Sequence, residues 1–311
     1  MKYLIGTRGS QLSLAQTNWV ISEIKKKSPD IEFEITAIKT KGDTDARPLF
    51  TINQKGIFEK EIDRAVAKKK VDLAVHSLKD VPAKIPEELV IACVPKREEA
   101  SDILISKDGK SLSTIKNGAV IGTSSLRRAV QIIRVRPDLV VKPIRGNIET
   151  RIKKIGTGEF DGIVLAQAGI SRLGLDVNYE KLPIDTFPPS PGQGALAIVT
   201  RKDNHDLIKL LEKIEDPETR SAVEAERSLS MFVDSGCRFP VGALAQKIGN
   251  KLSLQVTVYS VDGTKHIMIK KESDPDSAVE LGKQAAMELT SKGVSELAKD
   301  WREKVEEWNK K

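Results

Sequence analysis

Arginines set beside hydroxyl residues, and one carboxylate at the end of an apolar run, are the groups in this 311-residue chain whose spacing bears on chemistry. Arg8 and Ser10 lie in GTRGSQLSL, and Thr123, Ser124, Ser125, Arg127 and Arg128 lie in IGTSSLRRAVQ. Arg145 and Arg151 bracket RGNIETR at a similar strand-to-helix junction, and Arg172 follows another. A cation in the first turn of a helix opposes the dipole by roughly 0.3 to 1 kcal/mol, so Arg127 and Arg128 call for something negative nearby. A guanidinium fork fits carboxylates and phosphates through two parallel bonds, and several converging forks point to a ligand with several acidic groups. Any one of these arginines has the alternative of pairing with a local Asp or Glu. The hydroxyls have two readings as well, as donors to an anion at a helix N-terminus or simply as N-caps.

Against this basic background stands VHSLKDVP, where an apolar run leads into Lys79 and Asp80 and is stopped by Pro82. Open α/β sheets hold their sites at such strand ends. A carboxylate alone among cations stays ionised, ready to steady a developing positive charge or accept a proton; a turn-forming Asp is the plainer alternative. His76 reads as a satisfied strand-end histidine. Cys237 stands in SGCRFPVG between Gly236 and Arg238, while Cys93 sits inside an apolar run and reads as core. Two distant cysteines and three scattered histidines make neither a disulfide framework nor a zinc signature, so no metal site is expected.

Elements able to position these groups alternate along the chain. Phe33, Ile35 and Ala37 recur with period two, whereas Leu12, Ala15, Trp19 and Val20 recur at helical spacing. Strand-like runs at 71–76, 89–94, 102–105, 119–122, 139–144, 161–166 and 195–200 have helical stretches between most of them, which indicates α/β units. The stretch from Leu4 to Leu12 is echoed at Val120 to Leu126, each a short strand, then Gly-Thr, then small polar residues and a helix. A matching buried strand follows in each half, at 71–75 and 160–164. Two similar lobes are expected, joined through Pro95–Ala100 and the Pro/Gly-rich Pro188–Gly194, and two crossings form a hinge with a cleft. The polar stretch Thr40–Gln54 reads as a lid or as a loose connection.

Length favours more than one domain. No apolar run approaches the roughly 20 residues of a membrane span, and the N-terminus lacks a secretory apolar core, so neither a membrane nor export is expected and the cytoplasm is the expected compartment. The net charge of +7 invites a nucleic-acid reading, but aromatics are 4% of residues, too few for stacking platforms. The lysine runs 25–27 and 68–70 read as solvated helix ends.

The motifs GTRGSQLSLAQ, KGD, HSLKDVP, IGTSSLRRAVQ, RGNIETR, AQAGISRLG, PGQGALAI and SGCRFPVG, in this order and spacing, resemble the porphobilinogen deaminase (hydroxymethylbilane synthase) family from about Leu4 to Ala245. The resemblance implies a transferase of tetrapyrrole biosynthesis that condenses four porphobilinogen molecules head to tail with loss of ammonia, then releases the linear tetrapyrrole by hydrolysis. It implies a dipyrromethane cofactor joined by a thioether to Cys237, a position where neighbouring Arg238 and Gly236 would help expose and ionise the thiol. It assigns Asp80 as the catalytic carboxylate that contacts pyrrole N–H groups and stabilises the cationic azafulvene. Arg8, Ser10, Lys79, Thr123, Ser125, Arg127, Arg128, Arg145, Arg151 and Arg172 match positions that bind cofactor or substrate carboxylates.

The implied fold is α/β, with two periplasmic-binding-protein-like lobes joined by a hinge and a smaller C-terminal α+β domain carrying the cysteine loop. The expected bounds are 1–96 with 195–215 for the first lobe, 97–194 for the second and 216–311 for the third unit, with a monomer as the expected state. Ser13, Ser190-Pro191 and Arg238-Phe239 depart from residues common in the family, and none removes a chemical group. A two-lobed carboxylate-binding protein without chemistry would share the cleft and the arginines but has no use for Cys237.

Overall fold

The computed structural model describes residues 2–40, 59–233 and 240–298. Cys237 with its neighbours Arg238 and Phe239, and nearly all of the stretch read as a lid, lie outside the described residues.

The chain begins with β1 (Lys2–Thr7), α1 (Gln11–Lys27), β2 (Glu32–Ala37), α2 (Lys60–Ala67), β3 (Leu73–Ser77) and β4 (Leu89–Cys93). It crosses over into β5 (Asp102–Ser106), β6 (Val120–Gly122), α3 (Leu126–Val135), β7 (Val140–Lys142), α4 (Ile148–Gly156), β8 (Gly162–Ala166), α5 (Gln167–Leu173) and β9 (Glu180–Lys181). A second crossing returns it to β10 (Leu196–Arg201) and α6 (His205–Leu211). The remainder is α7 (Pro217–Val233), a hairpin series β11 (Val241–Ile248), β12 (Lys251–Tyr259), β13 (His266–Ser273), and α8 (Ala278–Ser291).

Two five-stranded sheets have one plan. The orders are β2-β1-β3-β10-β4 and β7-β6-β8-β5-β9. In the first, β1 is parallel to β2 and β3 while β10 is antiparallel to β3 and β4. In the second, β6 is parallel to β7 and β8 while β5 is antiparallel to β8 and β9. The sequence echo is therefore one topology used twice. Gly6 pairs with Ala74 on β3 and Gly122 with Ile163 on β8. A Cβ at Gly122 would stand 2.9 Å from the Phe160 ring, so only glycine lets the strand end lie this close to its neighbour.

The inner strands of these sheets (β1, β3 and β10; β6, β8 and β5) are mostly buried and apolar, whereas the edge strand β2 is mostly exposed. Ile5, Val20, Ile24, Leu73 and Ile198 fill one side of the first sheet; Ile62, Val66, Ala74 and Val199 fill the other. Ile121, Ile132 and Val164, and on the opposite side Ile103, Ile144 and Ile163, do the same for the second. A separate core forms where α7 and α8 cover the three-stranded sheet β11-β12-β13, around Leu229, Leu254, Val256 and Leu281.

The crossings are tied to each other. The Glu98 N–H donates to Gly194 O (3.1 Å) and Arg97 Nε to Gln193 O (2.7 Å). Gly194 has φ +86°, and a Cβ there would collide with the Glu98 carbonyl oxygen, so glycine is required on both counts. The C-terminal unit is fastened to both crossings, by Ala243 N–H to Pro189 O (2.8 Å) and by Arg97 N–H to Thr219 Oγ1 (3.0 Å).

Some local readings shift. On α1 the fully buried positions are Gln16, Thr17, Val20 and Ile24, with Leu12, Ala15 and Trp19 only half-buried. Arg151 lies inside α4 and Arg172 in the last turn of α5, whereas Arg8 and Arg145 do sit in strand-to-helix junctions.

Candidate functional site

Both Gly-Thr strand ends face one cleft. Ser10 caps α1, its Oγ accepting from the Ser13 N–H (3.2 Å), and Ser125 caps α3, its Oγ accepting from the Arg128 N–H (3.5 Å). Each cap satisfies one of the N–H groups that the first turn of its helix leaves without an intrahelical partner. β3 ends at Ser77 and passes directly into a 3-10 turn, Leu78–Asp80, which carries Lys79 and Asp80 out at the end of the first sheet. From the second sheet, β7 is followed by Arg145 and α4 brings Arg151.

These groups line a cavity of about 660 Å³. Its walls include Arg8, Ser10, Lys79, Asp80, Ser125, Arg127, Arg128, Arg145, Arg151 and Arg172. Thr123 is not among them. It is fully buried behind the wall, and its Oγ1 accepts from the Ser125 N–H (3.2 Å), holding the turn that presents Ser125.

Arg127 and Arg128 find their counter-charge inside the protein. Asp102, at the start of β5 and fully buried, accepts from Arg127 NH1 through Oδ2 (2.8 Å) and from Arg128 NH2 through Oδ1 (2.7 Å). Arg127 NH1 also donates to Gln131 Oε1 and Pro188 O, both at 2.8 Å. Of the two readings of these cations, a ligand or a carboxylate of the protein itself, Asp102 supplies the second. Burial by itself would raise the Asp102 carboxyl; the attraction of Arg127 and Arg128 and their hydrogen bonds outweigh it and hold it well below the usual carboxylate range. Gln193, from the second crossing, donates to the same Asp102 Oδ1 (2.8 Å) and accepts from Arg128 NH2 (3.2 Å) and Lys79 Nζ (3.4 Å). One amide thereby connects the lysine of the first sheet to the arginines of the second.

Arg151 and Arg172 are different. Arg151 Nε donates to Gly146 O (2.8 Å) and Arg172 NH2 to Gly194 O (2.6 Å), and neither forms an ion pair among the described residues. Loss of hydration, with Arg128 and Arg145 close by, draws Arg151 down to about 10. Loss of hydration likewise draws Arg172 to about 10, although Glu98 opposes it. Lys79 is open to the water of the cleft yet deep within the protein envelope. Loss of hydration, opposed by Asp80 and reinforced by Arg128, lowers it to about 8. Each of these three cations is held where an added anion would relieve it.

Sequence reasoning missed several members. Asp102, Gln193 and Gln16 are polar residues embedded in apolar or glycine-rich runs, and a charged residue opening an otherwise apolar strand was the available signal for Asp102. Glu149 lines the cavity, and its buried Oε1 has no hydrogen-bond partner among the described residues. Glu59, just before α2 and buried, is raised far above the usual carboxylate range by burial first and then by Asp80 and Asp63. His76 is satisfied as expected, its Nε2 2.9 Å from Asp63 Oδ1, and Cys93 is fully buried, with its thiol pushed up by burial and by Glu215. Among the described residues there is no cluster able to hold a metal ion, and no helix is long and apolar enough to cross a membrane.

The lining holds seven basic side chains (Arg8, Lys79, Arg127, Arg128, Arg145, Arg151, Arg172) against two acidic ones (Asp80, Glu149), the electrostatics of a receptor for a molecule with several carboxylates. Residues 3–209 match the family described as porphobilinogen deaminase, dipyromethane cofactor binding domain, and residues 221–291 match the porphobilinogen deaminase C-terminal domain. A probable porphobilinogen deaminase of Nitrosopumilus maritimus (strain SCM1) is 64% identical over 310 residues, covering 100% of both chains. The porphobilinogen deaminase of Desulforamulus reducens is 44% identical, covering 97% of this chain and 98% of its own. Among solved structures, the probable amino-acid ABC transporter extracellular-binding protein ytmK from Bacillus subtilis superposes with a TM-score of 0.40 at 11% identity, covering 69% of this chain and 90% of that one. With both domain families matched in order and relatives aligned end to end, the chain belongs to the porphobilinogen deaminase family, enzymes of the transferase class with a dipyrromethane cofactor binding domain.

Proposed function

We propose that this chain condenses four porphobilinogen molecules on a dipyrromethane joined by a thioether to Cys237, with Asp80 as the carboxylate at the reacting centre. The observation that carries the reading is the pairing of Asp80 with seven surrounding cations in one cavity. A dipyrromethane built from two porphobilinogen units carries four carboxylates, and the residues fit it: Arg151, Arg172 and Lys79 are cations in want of anions. Arg8, Arg127, Arg128 and Arg145 complete the lining, with Ser10 and Ser125 offering hydroxyls. Thr123 acts through Ser125 in this reading. When bound, the cofactor supplies the pyrrole terminus to which each new unit is joined.

The chain's own residues do the rest. The guanidinium groups hold acetate and propionate side chains and so fix the orientation of each ring. Asp80 accepts from pyrrole N–H groups and lowers the energy of the positive charge that develops as ammonia leaves, a preformed negative group acting where charge appears. The proposed domain bounds remain 1–96 with 195–215, 97–194 and 216–311; strand membership of the three sheets supports them. The same reading takes the protein as a cytoplasmic monomer.

Ammonia release from porphobilinogen tests the central assignment. Asp80→Asn should lower turnover by about 10²- to 10³-fold, the size found when one preorganised electrostatic group is removed, while the covalent adduct is kept. Near-normal turnover in Asp80→Asn would take Asp80 out of the reacting centre.

A further inference from the structure

After Asp80 the chain runs through Val81, Pro82 and Ala83 outside any strand or helix. Its carbonyls have no ladder to join and must find donors elsewhere. One side chain serves all three. Arg227, on α7, donates from NH1 to Val81 O (3.4 Å) and from NH2 to Pro82 O (3.0 Å) and Ala83 O (3.1 Å). Loss of hydration, with Arg220 nearby, lowers this guanidinium, and no carboxylate among the described residues pairs with it. On the other flank of the turn, the Leu78 N–H donates to Ala195 O (3.0 Å) and the Val81 N–H to Leu78 O (3.1 Å). The 3-10 turn bearing Asp80 is thus pinned on one side by Ala195, just after the second crossing, and on the other by α7. That helix ends at Val233, four residues before Cys237.

We infer that Arg227 is a positioning residue for Asp80: it bolts the backbone after the carboxylate to α7 and so keeps the carboxylate in its place at the cleft. The inference rests on the reading of Asp80 as the reacting-centre carboxylate. A planar fork suits the task because its donors diverge toward successive carbonyls, whereas an ammonium is a compact point charge on a flexible stem. Displacements of about 1 Å at a reacting group cost on the order of 10² in rate, so a loosened turn should be read in turnover before it is read in binding.

The test is a double-mutant cycle on the holoenzyme, measuring ammonia release from porphobilinogen and intact mass for wild type, Arg227→Met, Arg227→Lys, Asp80→Asn and Asp80→Asn combined with Arg227→Met. Arg227→Met should keep the adduct and hold KM within about threefold while kcat falls by about tenfold or more, and Arg227→Lys should recover part of that loss. In the Asp80→Asn background the same Met substitution should cost less than about threefold, because the carboxylate it positions is already gone. Wild-type kcat in Arg227→Met, or an equal loss in both backgrounds, would overturn the inference. If Arg227→Met does not fold, Arg227→Lys carries the same cycle. Wild-type turnover in Asp80→Asn would overturn the assignment of Asp80 and the inference with it, an outcome seen without any Arg227 variant.

Discussion

Arg97 grips Glu226 through two parallel bonds, NH1 to Oε1 at 2.7 Å and NH2 to Oε2 at 3.1 Å, with the carboxylate fully buried. The pair joins the first crossing to α7. Glu226 also accepts from the Gly192 N–H (2.5 Å) of the second crossing and from the Ala245 N–H (2.8 Å) of β11. Four donors from three parts of the chain converge on one carboxylate.

Removing that carboxylate leaves both NH groups at the end of the Arg97 fork and two backbone N–H groups without their acceptor, Arg97 keeping only its Nε bond to Gln193 O. Breaking a buried pair from one side costs about 3 to 5 kcal/mol, so Glu226→Ala should lower the denaturation midpoint strongly. Arg97→Met, which leaves a buried carboxylate still served by two N–H donors, should cost less. Urea unfolding of both variants checks the order; equal, small losses would remove Glu226 from its place as the joint.

Asp102 sets an acid limit on stability. Its carboxyl is depressed in the folded protein, so it contributes stability above the ordinary carboxylate pKa and loses it as pH falls below that value. Wild-type unfolding free energy should therefore decline steeply with acid below about pH 4. Asp102→Asn should be less stable at neutral pH, with Arg127 and Arg128 left facing each other, and should show a shallower acid decline. A parallel decline in both proteins would contradict this.

In its proposed binding role, Lys79 is expected to set an alkaline limit on binding. Its charge is lost as pH rises through about 8 in the free protein, so kcat/KM for porphobilinogen should fall above that pH. Lys79→Arg should move the fall upward, because a guanidinium keeps its proton. Stability runs the other way. A depressed lysine binds fewer protons folded than unfolded between about 8 and 10.5, so this residue makes the protein more stable as pH rises through that window. A kcat/KM profile unchanged by Lys79→Arg would remove Lys79 from the binding wall.

The sheets were legible because their strands are local in sequence: a buried strand needs a short apolar run, and β1, β3, β6 and β8 have one in Leu4-Ile5, Leu73-Ala74-Val75, Val120-Ile121 and Ile163-Val164-Leu165. The repeated Gly-Thr placed both strand ends because glycine is demanded where Gly122 meets Phe160. β11 and β13 were not foreseen, since a sheet covered on one face by helices leaves a mixed pattern, as in the alternating exposure of β13. Arginine count and spacing told the sign of the cavity but not which cations are spent inside the protein. That division depends on Asp102 and Gln193, which reach Arg127 and Arg128 only after two crossings bring them together. Arg227 escaped for the same reason, its partners lying about 145 positions away.

The tether at Cys237 is the claim on which the rest depends, and intact mass measures it directly. Protein purified without denaturation should be heavier than its sequence by one dipyrromethane, and Cys237→Ser should show the bare sequence mass and no turnover. An unmodified, fully active wild-type chain, or an adduct that survives in Cys237→Ser, would contradict the account.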